Sequence, residues 1–289
     1  MPGPVFFSSV VWIVLENRGF AQVKDLASSR FLEQHGAVLD QYYALTHPSG
    51  PNYRLIAGGR KFSPYEVFVR KEPSIASEYA SLELPTIDWW PGGLMKDSTY
   101  DGVPALKHDP FPELYGIADP AADAGRQTGI KLFSIWKKPF APDLLPGHCQ
   151  VYLGFDNDNE AHDPFPDDSQ AKALQTADRN LMSVLATLRH SRWFNTPDQY
   201  GRFPVFIETW DESFLGDQRV FTAFYGRGVK AGYVSQVHYD HLSLSRTLTD
   251  NWHLPPLGGA EQAHDIADVW KPASPSKKPI DTRRGRDQK

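Results

Sequence analysis

A single cysteine, Cys149, stands among 289 residues, so no disulfide can close within the chain and cysteine pairing says nothing about redox compartment. No apolar run approaches the about 20 residues needed to span a bilayer. Val10–Leu15, the run nearest the start, is far too short, and no transmembrane segment is expected. The opening Met1-Pro2-Gly3-Pro4-Val5-Phe6-Phe7 lacks the basic region and small-residue cleavage site of a signal peptide. The chain therefore reads as cytoplasmic as written, or as secreted if a leader has been removed. Basic residues form no stripe outside the last residues, and 30 Lys and Arg against 35 Asp and Glu leave a net charge of -5. That balance gives no nucleic-acid-binding footprint. Internal repeats are also absent.

What is present suits a packed globular protein: 40% apolar residues, 22% charged residues, and 17 Phe, 12 Tyr and 8 Trp. One domain is expected over 1–272, followed by a flexible basic tail over 273–289 that carries Lys-Lys and Arg-Arg-Gly-Arg clusters without apolar periodicity. Apolar spacing at Leu174, Leu181, Val184, Leu185 and Leu188 predicts an amphipathic helix over Ser169–Arg189. Further helices are expected over Lys24–Gln34, about 51–57 and Leu242–Trp252. Strands are expected at Val10–Leu15, Val38–Leu45, Val151–Phe155, from Val205, and at Val220–Tyr225. Residues 60–150, rich in Pro, Gly and aromatics, read as long loops and short elements that form a cap. Strands alternating with helices predict an α/β fold: a mainly parallel central sheet with helices on both faces.

Two of the predicted strands end on acidic pairs. Val10-Val11-Trp12-Ile13-Val14-Leu15 runs into Glu16-Asn17, and Val205-Phe206-Ile207-Glu208-Thr209-Trp210 runs into Asp211-Glu212. Working residues of open α/β sheets collect past the carboxyl ends of strands. Three carboxylates and an amide meeting there would repel one another unless a cation sat between them. Thr46-His47-Pro48-Ser49-Gly50-Pro51-Asn52-Tyr53 forms a turn suited to exposing one hydroxyl, with Ser49 or Gly50 at a helix cap and Pro51 at a first helical position. A hydroxyl there serves equally as a plain cap. Near a divalent cation, however, Ser49 would lose its proton more readily and become a nucleophile, and Asn52 one turn on would offer its amide to a phosphate. Asp158 and His162 stand four apart, a spacing that shares a helical face, in a stretch that also reads as a solvated acidic loop. His108 and His241 are lone histidines, more often structural than functional.

The order of these segments carries more than any one of them. Leu15-Glu16-Asn17-Arg18-Gly19-Phe20, the Thr46–Tyr53 turn, Lys107-His108-Asp109-Pro110-Phe111 and Asn157-Asp158-Asn159-Glu160-Ala161-His162-Asp163 are followed by Thr209-Trp210-Asp211-Glu212-Ser213, Tyr239-Asp240-His241-Leu242-Ser243 and Asn251-Trp252-His253-Leu254-Pro255. This series, from about residue 10 to 257, resembles the alkaline phosphatase superfamily. Within it, the series resembles the phosphoesterase family of bacterial phospholipases C and metal-dependent acid phosphatases, with the compact acid-phosphatase branch the nearest in wording. The resemblance implies an alkaline-phosphatase-like fold and a divalent metal (Ca, Mg, Mn or Zn) bound by Glu16, Asn17, Asp211 and Glu212. It makes Ser49 both nucleophile and metal-proximal oxygen. His108 and His162 would bind phosphate or protonate the leaving group, with Asn52 and His241 also at the substrate. In the wider superfamily Asp158, His162 and His241 fall where a second metal sits. The expected substrate is a small-molecule phosphate ester, hydrolysed as a monoester through a phosphoserine. A phosphodiesterase or phospholipase C acting on a lipid or nucleotide headgroup is the alternative, and a regulatory metal- or phosphate-binding module is a third reading.

Overall fold

The computed structural model describes residues 3–60, 73–90, 111, 132–136, 138–155, 168–213 and 216–272. His108, Asp158, His162 and the 273–289 tail lie outside them. An eight-stranded sheet forms the centre, with strand order β5-β4-β6-β1-β7-β8-β2-β9. Its strands are β1 (Val10–Leu15), β2 (Ala37–Leu39), β4 (Thr86–Trp90), β5 (Leu132–Trp136), β6 (Gln150–Leu153), β7 (Val205–Trp210), β8 (Ala223–Tyr225) and β9 (Tyr233–Ser235). All neighbouring pairs are parallel except those made by β8, which runs antiparallel to both β7 and β2. A separate two-stranded parallel sheet joins β3 (Tyr42–Tyr43) to β10 (Tyr239–Asp240).

β1 is apolar along its whole length because both of its faces are covered, as parallel strands require. Every residue from Val10 to Leu15 is fully buried. Burial of each such side chain stabilises the fold by roughly 1.5–3 kcal/mol relative to leaving it in water. Trp12 meets Tyr152 and Phe111 edge-on, with ring centroids at 5.1 and 5.9 Å.

Helices flank the sheet in two groups. α1 (Phe20–Val23) leads into α2 (Ala27–His35), which packs against α5 (Asp168–His190). Asp178 of α5 accepts from the backbone N–H groups of Ala27 and Ser28 at 3.2 and 2.8 Å, satisfying donors that the start of α2 leaves open. The apolar spacing of α5 is the predicted one, and Ala177, Leu181, Val184, Leu185 and Leu188 are its buried face. The second group is α3 (Ser49–Gly58), α4 (Ile75–Ser81) and α7 (His241–Asp250); the one-turn α6 (Arg192–Asn195) follows α5. None of the described helices is long and apolar enough to cross a membrane.

Several elements differ from the sequence expectation. The helix expected over 24–34 begins later, at Ala27 with Leu26 as its N-cap, and the one-turn α1 lies wholly ahead of that stretch. The run 38–45 splits into β2 and β3, which belong to different sheets. Within 60–150, β4 and β5 extend the central sheet beyond β6, so part of that stretch is sheet rather than loop. α3 starts at Ser49 with Pro48 as its N-cap, which places Ser49 inside the first turn and not at the cap.

Asn251 shows why the Asn-Trp-His block follows α7. Its side chain accepts from the backbone N–H groups of Phe6 and Phe7 at 2.8 and 3.0 Å and donates to the Phe7 carbonyl at 3.0 Å, tying the segment before β1 to the end of α7. α3 ends on Gly59, left-handed at φ 65°, whose N–H donates to Leu55 O at 3.0 Å. A Cβ at Gly59 would stand 1.8 Å from the Leu257 carbonyl oxygen. Gly59→Ala is therefore expected to destabilise the protein by at least about 2 kcal/mol, from left-handed strain together with that backbone clash. A urea melt should show the midpoint fall with its slope unchanged; an unmoved midpoint contradicts this account of the cap.

Candidate active site

The parallel register between β1 and β7 builds the site. Residues pair from Val10 with Val205 through to Leu15 with Trp210, so both strands end together. The next residues, Glu16-Asn17 and Asp211-Glu212, consequently share one edge of the sheet. The Asp211 N–H continues the ladder to Leu15 O at 2.8 Å. All four side chains are buried.

Asn17 turns the chain away from β1 in the left-handed region, at φ 56°, a conformation that asparagine tolerates better than most residues. In that pose its N–H donates to Asp211 Oδ1 at 2.8 Å, and its Nδ2 donates to Glu16 Oε2 at 2.8 Å. Gly19 allows the two strand tips to close, since a Cβ there would meet Ser213 Oγ at 2.6 Å.

Ser49 arrives from the other side, in the first turn of α3. Its Oγ lies 2.8 Å from Glu16 Oε2 and 3.3 Å from Glu212 Oε1. A hydroxyl has one proton to donate, and the shorter contact to Glu16 is the better donation. Asn52, one turn further along α3, is fully buried. Its Nδ2 donates to Thr46 O at 2.8 Å and approaches Glu212 Oε2 at 3.5 Å, while its Oδ1 accepts from Leu45 N–H at 3.4 Å. This amide holds the turn before Ser49.

His241 lies at the start of α7, behind Asp211. Its Nε2–H donates to the Asp211 backbone carbonyl at 2.7 Å, and its Nδ1 faces the Tyr42 hydroxyl at 3.1 Å. Both ring nitrogens are thus engaged by the protein. Burial pushes the imidazole down to about 4, so it is neutral at physiological pH. Two further residues stand close by, neither of them among the site residues expected from sequence. His47, about half exposed, places Nδ1 2.6 Å from Glu212 Oε2, and Gln218 lies behind it. The signal for His47 is its place two residues before the turn serine; Gln218 carries none.

The electrostatics follow from burial and then from crowding. Burial first, then Glu16 and then Glu212, raise the Asp211 carboxyl well above the usual range. Burial and the neighbouring Glu16 push Glu212 up to about 7. Among the described residues, no group of three or more His, Cys, Asp or Glu side chains is drawn together tightly enough to hold a metal ion as it stands. The donors Ser49 and Asn17 lie among the carboxylates instead. The donor chemistry nevertheless fits a hard or borderline cation, since it consists of carboxylate, amide and hydroxyl oxygens. Asp211 Oδ2, buried and without a hydrogen-bond partner among the described residues, is the kind of acceptor such an ion satisfies.

The raised Glu212 carboxyl has a measurable consequence. The folded protein keeps a proton that the unfolded chain releases near about pH 4.3, so stability falls as pH rises from there through about 7. With divalent ions chelated, Glu212→Gln is expected to melt several degrees above the parent at pH 8, and the gain should vanish towards pH 4. Equal melting temperatures at pH 8 would contradict a Glu212 carboxyl raised by burial and by Glu16.

No protein-family model matches the chain. Among curated proteins, it is 28% identical over 284 residues to the phosphate-repressible acid phosphatase of Penicillium chrysogenum, covering 91% of this chain and 64% of that protein. It is 28% identical over 286 residues to a phosphatidylinositol-3-phosphatase of Mycobacterium tuberculosis, covering 91% of this chain and 83% of that one. An acid phosphatase of Aspergillus fumigatus is 24% identical, with 59% of its length spanned. The chain thus spans less than two thirds of these two fungal proteins' length. Among solved structures, a Vibrio parahaemolyticus protein of the alkaline phosphatase superfamily aligns over 94% of this chain and 71% of its own, with a TM-score of 0.60 and 13% identity. A phosphonate monoester hydrolase from Silicibacter pomeroyi aligns over 94% of this chain and 78% of its own, with a TM-score of 0.57 and 15% identity. By its mostly parallel sheet with flanking helices the chain has the fold of these solved structures, and over most of its length it is similar in sequence to acid phosphatases and to a phosphatidylinositol-3-phosphatase.

Proposed function

We propose that the chain is a metal-dependent phosphomonoesterase of acid-phosphatase type, on the compact acid-phosphatase branch, that works through a phosphoserine at Ser49. The observation that carries this reading is Ser49 Oγ held 2.8 Å from Glu16 and 3.3 Å from Glu212, in the first turn of a ten-residue helix. A binding module has no use for a hydroxyl positioned this way. The relatives named as acid phosphatases, and the one named as a phosphatidylinositol-3-phosphatase, support phosphate esters as the substrate class.

Glu16, Asn17, Asp211 and Glu212 would hold the cation, with Ser49 beside them. When bound, a divalent ion supplies charge neutralisation for a phosphoryl oxygen and favours the alkoxide of the nearby serine. The start of α3 adds the positive end of a helix, which favours phosphate oxygens. Ser49 Oγ, its proton passing to solvent, attacks phosphorus in line, forming the Oγ–P bond as the bond from phosphorus to the leaving alcohol breaks. The serine regains a proton from solvent when water later cleaves the phosphoserine. His108 or His162, in its protonated form, delivers a proton to the departing oxygen. Once neutral, it accepts a proton from the water that cleaves the phosphoserine. His241 holds the backbone of Asp211 in place throughout.

Turnover of p-nitrophenyl phosphate tests this reading. Ser49→Ala should lose roughly 10³-fold or more in kcat, and chelation should abolish activity reversibly. Hydrolysis that persists unchanged in Ser49→Ala removes the covalent route. Bis-p-nitrophenyl phosphate and phosphatidylcholine, assayed alongside, should be poor substrates; preferential cleavage of either would favour the phosphodiesterase or phospholipase C reading instead.

A further inference from the structure

Glu212 has two oxygens, and the protein treats them differently. Oε1 faces Ser49 Oγ at 3.3 Å. Oε2 receives His47 Nδ1 at 2.6 Å and is approached by Asn52 Nδ2 at 3.5 Å. His47 is itself oriented from behind, where its Nε2 lies 2.6 Å from Gln218 Nε2. The same Gln218 nitrogen lies 3.1 Å from the Ser213 carbonyl oxygen.

These contacts fix one another in sequence. A backbone carbonyl only accepts, so the Gln218 group facing Ser213 O must be the amide N–H; the flipped amide would set oxygen against oxygen. That nitrogen has only donors, so His47 Nε2, 2.6 Å away, accepts. The ring proton is then on Nδ1, where it donates to Glu212 Oε2. The chain of donation runs from Gln218 to His47 to Glu212, anchored on the main chain of the segment that follows β7.

We propose that His47 is a positioning residue for the metal site: it occupies Oε2 of Glu212 and leaves Oε1 as the single oxygen presented to the cation. Gln218 sets the ring of His47 for this task. The assignment rests on the metal-dependent reading above and deepens it, because it makes Glu212 a one-oxygen ligand whose direction is set from outside the ligand set. Partners of this kind, which orient a ligand without touching the ion, typically govern metal affinity by 10–100-fold.

The test is calorimetric titration of the full chain, stripped by chelator, with Mg²⁺, Ca²⁺, Mn²⁺ and Zn²⁺ in turn. His47→Ala should weaken the tightest of these ions by about 10–100-fold. His47→Asn, whose Nδ2 falls near the position of the imidazole Nδ1, should recover most of the loss. Gln218→Leu should fall between the parent and His47→Ala. Melting temperatures of the metal-free variants should stay close to the parent, since the His47 side chain is 49% exposed. Equal affinity in His47→Ala and the parent overturns the assignment of His47 alone. A loss in His47→Ala that His47→Asn does not repair assigns the effect to packing and also overturns it. A parent that takes up none of the four ions overturns the metal reading, and this proposal with it.

Discussion

Between β1 and β7 the backbone ladder runs in register to the last residue of each strand, and it carries two acidic pairs from distant parts of the chain to one edge of the sheet. Because side chains alternate along a strand, a slip of one residue would turn each to the opposite face. Complete burial of β1 makes such a slip costly, since all of its apolar side chains would have to repack within the core. The hydrophobic content of the strand thereby secures the placement of charges that the fold would otherwise disperse. Glu16, Asp211 and Glu212 are held together against their mutual repulsion, and packing far from the carboxylates supplies the restraint.

Burial first, and that repulsion after it, raise the Asp211 and Glu212 carboxyls. A site of this kind is unfavourable for the bare protein and favourable for anything positive that enters it, a balance between stability and function that enzymes commonly show. The surrounding residues limit the strain. Asn17 donates to both acidic segments, Asn52 holds the turn ahead of Ser49, and His241 secures the main chain of Asp211 with its ring kept neutral.

Sequence reasoning reached the parts of this arrangement that announce themselves by pattern. β1, β7 and α5 were legible because an unbroken β-branched run and a helical apolar spacing have few alternative readings. β4 and β5 were hidden: Ile87-Asp88-Trp89-Trp90 and Leu132-Phe133-Ser134-Ile135-Trp136 are strand-like, but Pro- and Gly-rich flanks drew the whole region towards loop. At the site, the convergence of Glu16, Asn17, Asp211 and Glu212 followed from the carboxyl-end rule for open sheets, whereas Ser49 joined them only through the family resemblance. Which partner each polar side chain takes did not follow, because hydrogen bonds between residues such as His47, Gln218 and Glu212 depend on loop paths that no periodicity encodes. Asn52 illustrates the gap, since an amide one turn beyond a serine suggests a ligand contact and its bonds here go to Thr46 and Leu45. His108, Asp158 and His162 lie outside the described residues, and their roles rest on resemblance.

The wide separation of β1 and β7 in the chain bears on biosynthesis. A nascent polypeptide leaving the ribosome holds Glu16 and Ser49 long before Asp211 and Glu212 exist, and the brace from His241 comes later still. Long-range parallel pairing of this sort also forms slowly, because distant segments must meet before any contact rewards them. A half-made or truncated chain therefore lacks the clustered carboxylates, and the cluster assembles only when the late segments have docked.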